Sequence, residues 1–449
     1  MLTNPFSSAI HYQKGIPLLP GAFPVMGHVP TLIWDSAELL RKGRERLGDI
    51  FRIRMGSSLA PTPLLVGPEG FELLRNKSAY IPLSINNDST NADFLGRHGL
   101  LVLRDTQHQR MRAALNPPFV PRGLSLSGIG SVMSDCIHQR LLKWSRGSSL
   151  RILSETQSIA LEIIFRLLDV KVEELQAWQD NYRQFMQILI PIKLDFPGSP
   201  RRRALRARSW LDAQLTALIE RSRQAPEGPS LVSAMSHARD EGGQLLSMQE
   251  LIDNFRLLIL AGHETTASVM AWMVTRLAQD PELLGMLQQE TVRIGHIPQT
   301  PQQSKEHPVA EALFRETLRL YPPLYITGRM LAEPTTLAGH RFAAGQQIFI
   351  GLGDIARDPR FFTDPERFDL QRWLTRSGPP SPLLTSQFGG GPHFCLGYHL
   401  AVFEGIQFAA GLALHLKQNH LRLRLKGATP KSVYYPLHHP AAATTICVE

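Results

Sequence analysis

Three cysteines are few for 449 residues, and Cys136, Cys395 and Cys447 lie far apart. An odd, scattered set excludes a disulfide framework and fits a reducing compartment. No window offers about 18 uncharged apolar residues, so no membrane span is expected. The N-terminus lacks the basic-then-apolar order of a secretory signal, being interrupted by Pro5, His11, Pro17 and Pro20. A cytoplasmic location is the resulting expectation. Internal repeats are also absent. The longest basic run, Arg201-Arg202-Arg203 continuing to Arg206 and Arg208, has no interleaved aromatics. A base-stacking surface needs them, so no nucleic-acid partner is expected and the run reads as a solvated helix face. The formal net charge of +9 still asks for a negatively charged partner.

What the chain does contain is organised around Phe388-Gly389-Gly390-Gly391-Pro392-His393-Phe394-Cys395-Leu396-Gly397. One cysteine ends a glycine-rich loop directly before an apolar helical pattern running from about Gly397 to Leu416. Consecutive glycines let the backbone take conformations closed to other residues and approach a bound group closely. The helix that follows opens with unpaired N–H groups and a positive dipole end, which favour a thiolate. A thiolate beside a flat apolar niche is suited to be the axial ligand of a haem iron.

Taken in order, the chain begins with a Pro/Gly-punctuated entry from Leu18 to His28, with residues 1–17 expected as a loosely ordered arm. A helical pattern runs from Asp35 to Leu47, followed by alternating segments at 51–55 and 63–66 that read as a hairpin. Pro68 starts another helix, to about Asn76, and the region from Tyr80 to Leu100 reads as a long functional loop, a candidate lid. Asp105 to Leu115 is helical, and its His108 and Arg112 stand four apart, so both leave one face. Two such donors suit a buried carboxylate. Residues 124–225 read as successive helices with one break, Pro191 to Pro200.

Ser247-Met248-Gln249-Glu250 is a capping box opening a helix to Ala278, and Asp280-Pro281 stops it. Within it, Ala261-Gly262-His263-Glu264-Thr265-Thr266 places poor helix formers side by side, so an interruption is expected there. An acid next to an alcohol suits proton delivery through a hydroxyl–water–carboxylate chain, whereas His263 reads as packing. Glu316 and Arg319, near the end of a helix closed by Pro322-Pro323, are i, i+3 neighbours able to pair. Residues 345–350 and 421–425 read as strands, and Val433 to Pro436 as a hairpin returning towards a cavity.

The spacing Phe-x-x-Gly-x-x-x-Cys-x-Gly resembles the haem-binding loop of the cytochrome P-450 family, and the other landmarks follow in that family's order from Leu18 to Leu437. The resemblance implies one large, mainly α domain over 1–449 with a smaller β region, and haem b between two helices with Cys395 as its thiolate ligand. It further implies that His108, Arg112, Arg329 and His393 hold the haem propionates, that Thr265 orients the oxygen ligand and that Glu264 relays protons. Glu316 and Arg319 resemble the family's Glu-x-x-Arg pair, with Arg367 expected as the third member. Ala356 departs from the family's usual His before Arg357-Asp358-Pro359.

The implied activity is insertion of one oxygen atom from O2 into a hydrophobic small molecule, by hydroxylation or epoxidation in secondary-metabolite biosynthesis. No length remains for a fused flavin reductase, so electrons are expected from a separate ferredoxin or flavodoxin with an NAD(P)H reductase. Two rivals keep the haem: an isomerase or dehydratase acting on a peroxide, and a non-catalytic haem binder. Neither needs the acid–alcohol pair that Glu264 and Thr265 supply. The cavity wall is expected from the 80–100 loop, the Leu257–Ala261 face, the Leu324–Ile326 segment and the Tyr434–Pro436 turn.

Overall fold

The computed structural model describes residues 15–56, 61–76, 79–80, 94–189, 196–375 and 381–449. Most of the arm expected over 1–17, the middle of the 80–100 loop and much of the 191–200 break lie outside these residues. Eleven helices of nine residues or more are present among those described. They are α1 (Val29–Leu47), α2 (Gly67–Arg75), α3 (Asp105–Leu115), α4 (Ile129–Leu141), α5 (Ile152–Leu167), α6 (Leu175–Met186), α7 (Pro200–Gln224), α8 (Met248–Gln279), α9 (Pro281–Ile294), α10 (Pro308–Leu320) and α11 (Tyr398–Gln418).

The signals that start these helices are local. Ser247 Oγ accepts from Glu250 N at 3.3 Å and Glu250 Oε2 accepts from Ser247 N at 2.7 Å, the reciprocal capping box read from the sequence. Asp280 caps α9 by accepting from Leu283 N at 3.1 Å, with Pro281 at the first position. Helix α1 starts six residues before the expected Asp35, because Asp35 is non-helical (φ −156°, ψ 75°) inside it. Asp35 Oδ1 still accepts from Glu38 N at 3.0 Å, so it caps the second half of a kinked helix.

The β region is a five-stranded sheet ordered β1-β2-β8-β5-β3. Strands β1 (Ile50–Ile53) and β2 (Thr62–Leu65) form the expected antiparallel hairpin, with Phe51 opposite Leu64. Strand β8 (Gln347–Ile350) lies parallel to β2 and antiparallel to β5 (Thr327–Leu331), which pairs with β3 (Ala79–Tyr80). The burial of β2 on both faces, Pro63 through Leu65, reflects its central place. Two small apolar clusters fill this region, one around Leu65, Ile348 and Ile350 and one around Leu39, Phe51 and Tyr325. A far larger core, from Met111 through Phe165 and Met270 to Leu412, unites the helices.

Helix α8 runs 32 residues, about 48 Å at 1.5 Å per residue. The expected interruption at Gly262–Thr266 is not there: the segment is helical throughout. Thr265 Oγ1 donates to Ala261 O at 2.6 Å without breaking the ladder, and tertiary burial outweighs the weak propensity of these residues. Helices α8 and α11 carry 18-residue windows of mean hydropathy 1.3 and 1.2, the range of membrane-crossing segments. Those windows are 67% and 83% buried inside the protein, so their apolar surface is spent on the core.

Candidate active site

A cavity of about 320 Å³ lies between α8 and the Phe388–Gly397 loop with the start of α11. One wall is Leu257, Leu258, Ala261, Gly262, Thr265, Thr266 and Val269 of α8. The facing wall is Phe388, His393, Phe394, Cys395, Leu396 and Gly397, continuing into Leu400, Ala401 and Glu404. The sequence thus brings two segments 130 residues apart to opposite sides of one space.

The glycines of the loop take the expected backbone conformations and also serve a contact within the protein. Gly389 sits at φ +82° and Gly391 at φ +59°, conformations that disfavour a side chain. A Cβ at Gly390 would stand 3.0 Å from Leu74 O, and one at Gly391 3.0 Å from Arg75 O. The close approach is therefore to the C-terminal carbonyls of α2, which the loop crosses. Cys395 N donates to Phe388 O at 2.9 Å, closing the loop.

Burial pushes the Cys395 thiol up, outweighing the Gly397 N–H and the Arg112 charge that pull the other way. The helix-end argument for a free thiolate is overridden by desolvation. A metal bound at the sulfur displaces the proton outright, so the raised thiol is no obstacle to ligation.

Along one edge of the cavity stand His108, Arg112, Arg329 and His393. The rings of His108 and His393 lie 4.3 Å apart. Arg112 Nη1 donates to Phe394 O. Arg329, on β5, is 2% exposed, and among the described residues its side chain makes one hydrogen bond, from Nη1 to Gly328 O at 2.9 Å. Burial lowers the Arg329 guanidinium to about 10, and burial with the neighbouring His108, Arg329 and Arg112 lowers His393 to about 3. Among the described residues none of the four is paired with a carboxylate. Four donors, two of them buried and two half-buried, with no carboxylate partner among the described residues make a poor stability device but a good cradle for an anion. They fit the carboxylates of haem b, while the apolar α8 and α11 faces fit its ring.

The acid and the alcohol of α8 part company. Thr265 lines the cavity, whereas Glu264 does not and is instead held by Gln157 of α5, whose Nε2 donates to Glu264 Oε2 at 3.0 Å. Gly262 is where α5 comes closest: a Cβ there would stand 2.7 Å from Ile164 Cδ1. His263 is buried against α5, in keeping with its reading as packing.

Beneath the loop, Glu316 and Arg319 pair at 2.8 Å with both side chains essentially inaccessible. The expected third member is corrected. Arg367 is exposed and contributes its carbonyl, which accepts from Arg319 Nη2 at 3.0 Å. The third member is Arg372, whose Nε lies 3.3 Å from Glu316 Oε1, while Trp373 Nε1 donates to Oε2 at 2.9 Å. A four-residue helical turn (Gln371–Leu374) swings Arg372 inward, and Arg367 lies before it in the loop. Ala356, where the family places His, gives its carbonyl to Arg319 Nη1 at 2.9 Å.

The cavity wall also differs from expectation. Leu100, Leu257, Leu258, Ala261 and Leu324 line it, but the Tyr434–Pro436 turn does not. Tyr434 is drawn aside, stacking on His438 at 4.7 Å and meeting Tyr325 edge-on at 5.0 Å. None of the lining residues among those described comes from α6 or α7, the helices on either side of the 191–200 break. Sequence reasoning also missed Glu404, a fully enclosed carboxyl on the cavity wall that burial raises to about 8. The signal was a lone acid in an apolar helix.

Comparison with known proteins agrees with this geometry. Residues 17–412 match the family model of cytochrome P450. The chain is 37% identical over 448 residues to a cytochrome P450 BJ-4 homolog of Sinorhizobium fredii, covering 99% of each. It is 28% identical to the cyclooctat-9-en-7-ol 5-monooxygenase of Streptomyces melanosporofaciens, over 88% of this chain and 87% of that one. It is 27% identical to the pentalenene oxygenase of Streptomyces avermitilis, over 89% and 90%. Its fold superposes on retinoic acid-bound cyanobacterial CYP120A1 with TM-score 0.80 at 23% identity, covering 97% of this chain and 99% of that one. The chain belongs to the cytochrome P450 family, the haem b-containing monooxygenases.

Proposed function

We propose that the chain oxygenates a terpenoid, with Cys395 as the residue whose sulfur would hold the haem iron. The observation that carries this reading is the convergence on one apolar cavity of Cys395, two arginines (Arg112 and Arg329) and two histidines (His108 and His393), none of the four paired with a carboxylate among the described residues. His108, Arg112, Arg329 and His393 would hold the propionates. The bound haem supplies activation of O2, using two electrons from a separate ferredoxin or flavodoxin reduced by NAD(P)H. Thr265 stands on the cavity wall, where its hydroxyl would hold a proton at Oγ1 for the haem-side space. Its hydrogen is donated to Ala261 O, so its lone pairs are the acceptor for a proton from Glu264, and the hydroxyl would turn from that carbonyl to hand its own proton inward. Glu264 supplies the proton from behind the same helix turn.

Substrate class follows from the wall and from relatives. The lining of Leu100, Leu101, Leu257, Leu258, Val269 and Leu324 offers dispersion contacts, and of its two amides, Asn254 and Gln387, the first is spent on Leu100 N and His98 O. Such a wall selects by shape. Two of the relatives act, by name, on terpenoids. A cytoplasmic, biosynthetic role is the companion proposal.

The test is a ligand panel on the ferric protein, followed by turnover. Cyclic terpenoids are expected to shift the Soret band by expelling the sixth-ligand water, and to be hydroxylated or epoxidised only with NAD(P)H and a reductase chain. Shifts given by charged hydrophilic compounds alone, or turnover of a peroxide without reductant, would overturn it.

A further inference from the structure

Behind α8, facing away from the cavity, α5, α6 and α8 enclose a polar cluster. His263 is 4% exposed, and its Nε2 lies 3.1 Å from Gln157 O. A carbonyl oxygen only accepts, so Nε2 carries hydrogen. In the neutral ring Nδ1 is then a bare acceptor. It has no hydrogen-bond partner among the described residues, and the polar atom beside it is Glu264 Oε1 at 3.4 Å. The other carboxyl oxygen, Oε2, accepts from Gln157 Nε2 at 3.0 Å. Gln157 therefore grips both neighbours, the ring with its backbone carbonyl and the carboxyl with its side-chain amide.

An ionised Glu264 beside a neutral His263 sets two acceptors against each other at a ring that is itself buried, which is costly. One proton between Nδ1 and Oε1 turns that contact into a charge-assisted bond. Tyr182 of α6 meets the ring edge-on at 5.4 Å, and its buried hydroxyl has no hydrogen-bond partner among the described residues. The other charged group that bears on the ring is Arg183. Burial lowers His263 and Glu264 opposes it.

We propose that His263 and Glu264 share one stored proton, with Gln157 as the latch that keeps the carboxyl docked beside the ring. His263 is thus a positioning residue for proton delivery. When the Gln157 amide lets go of Oε2, the carboxyl turns towards Thr265 carrying that proton, and returns ionised. The pair is refilled from solvent, which reaches the 24%-exposed Glu264 side chain. This rests on the reading of Glu264 as the acid of the relay.

The experiment uses the ferrous carbon monoxide form of the holoenzyme, which is diamagnetic, with 15N-labelled histidine. The His263 signals are assigned by their loss in His263→Gln. Near neutral pH the pair is expected to show a protonated Nδ1, or else a carboxylic-acid C=O infrared band that disappears in both Glu264→Gln and His263→Gln. A bare Nδ1 with no such band overturns the proposal, even where Glu264→Gln turns over poorly and the acid assignment survives. In turnover, His263→Gln and Gln157→Leu are expected to lower the share of NAD(P)H recovered as product about tenfold, with KM unchanged. Full coupling in Glu264→Gln would remove the acid assignment and the proposal with it.

Discussion

Arg319 and Glu316 show what a buried charge demands of its surroundings. Arg319 spends its guanidinium on Glu316 and on the carbonyls of Ala356, Pro365 and Arg367. Glu316 in turn accepts from Asp369 N, Arg372 and Trp373. Every donor and acceptor is met, which is the condition for such a pair to be tolerated. Two substitutions separate the corrected assignment from the expected one. Arg372→Ala removes a charged hydrogen bond from an enclosed carboxylate and is expected to cost about 1.5–3 kcal/mol. Arg367→Ala leaves the carbonyl in place and is expected to stay within about 0.5 kcal/mol. Denaturant unfolding of the two variants measures both, and equal losses would restore Arg367 to the trio. Sequence spacing placed the pair correctly. It missed the third member because a short turn at Gln371–Leu374 decides which arginine points inward.

At the scale of elements, the site depends on how closely α10 and α11 cross. A Cβ at Gly405 would stand 2.1 Å from the Phe314 ring, so the two axes approach only because that position is glycine. Gly405→Ala is expected to destabilise by about 1–3 kcal/mol through overpacking. Phe314→Leu in the same background should recover part of that loss, whereas additive losses in thermal unfolding would place the strain elsewhere. Much of the element pattern was legible beforehand. The capping box at Ser247, the hairpin through Phe51 and Leu64 and the helix Asp105–Leu115 all follow from local residue chemistry. The continuity of α8, the diversion of Glu264 to Gln157 and the aside position of Tyr434 do not, because each is settled by a neighbour distant in sequence. Periodicity reports which face is apolar, and says nothing of which helix will meet it.

For the whole molecule, pH acts through groups whose burial shifts them. Glu404, held near 8 in the folded state against an ordinary value of 4.5, stays protonated where the unfolded chain has already ionised. The folded state then binds more protons, so this group makes stability fall as pH rises from about 4.5 to 8. His438, lowered to about 3 and satisfied as a neutral ring by Pro322 O and Ser432 Oγ, acts on the acid side. The unfolded chain takes up its proton first, so stability falls as pH drops below about 6.5. Glu404→Gln is expected to flatten the alkaline limb of the stability–pH profile, read as thermal midpoints between pH 5 and 8. An unchanged slope would mean that the carboxyl is ionised in the folded protein.

The cavity divides its labour between two kinds of surface. The floor that carries Cys395 is pinned by enclosed ion pairs and by glycines pressed on α2, whereas Leu100, Leu257, Leu258 and Leu324 contribute only shape. Exchanging one leucine for another aliphatic or methionine side chain costs little, typically less than about 1.5 kcal/mol. A lineage of such enzymes is thereby free to drift from one carbon skeleton to another by retailoring the lining alone, leaving the metal seat untouched.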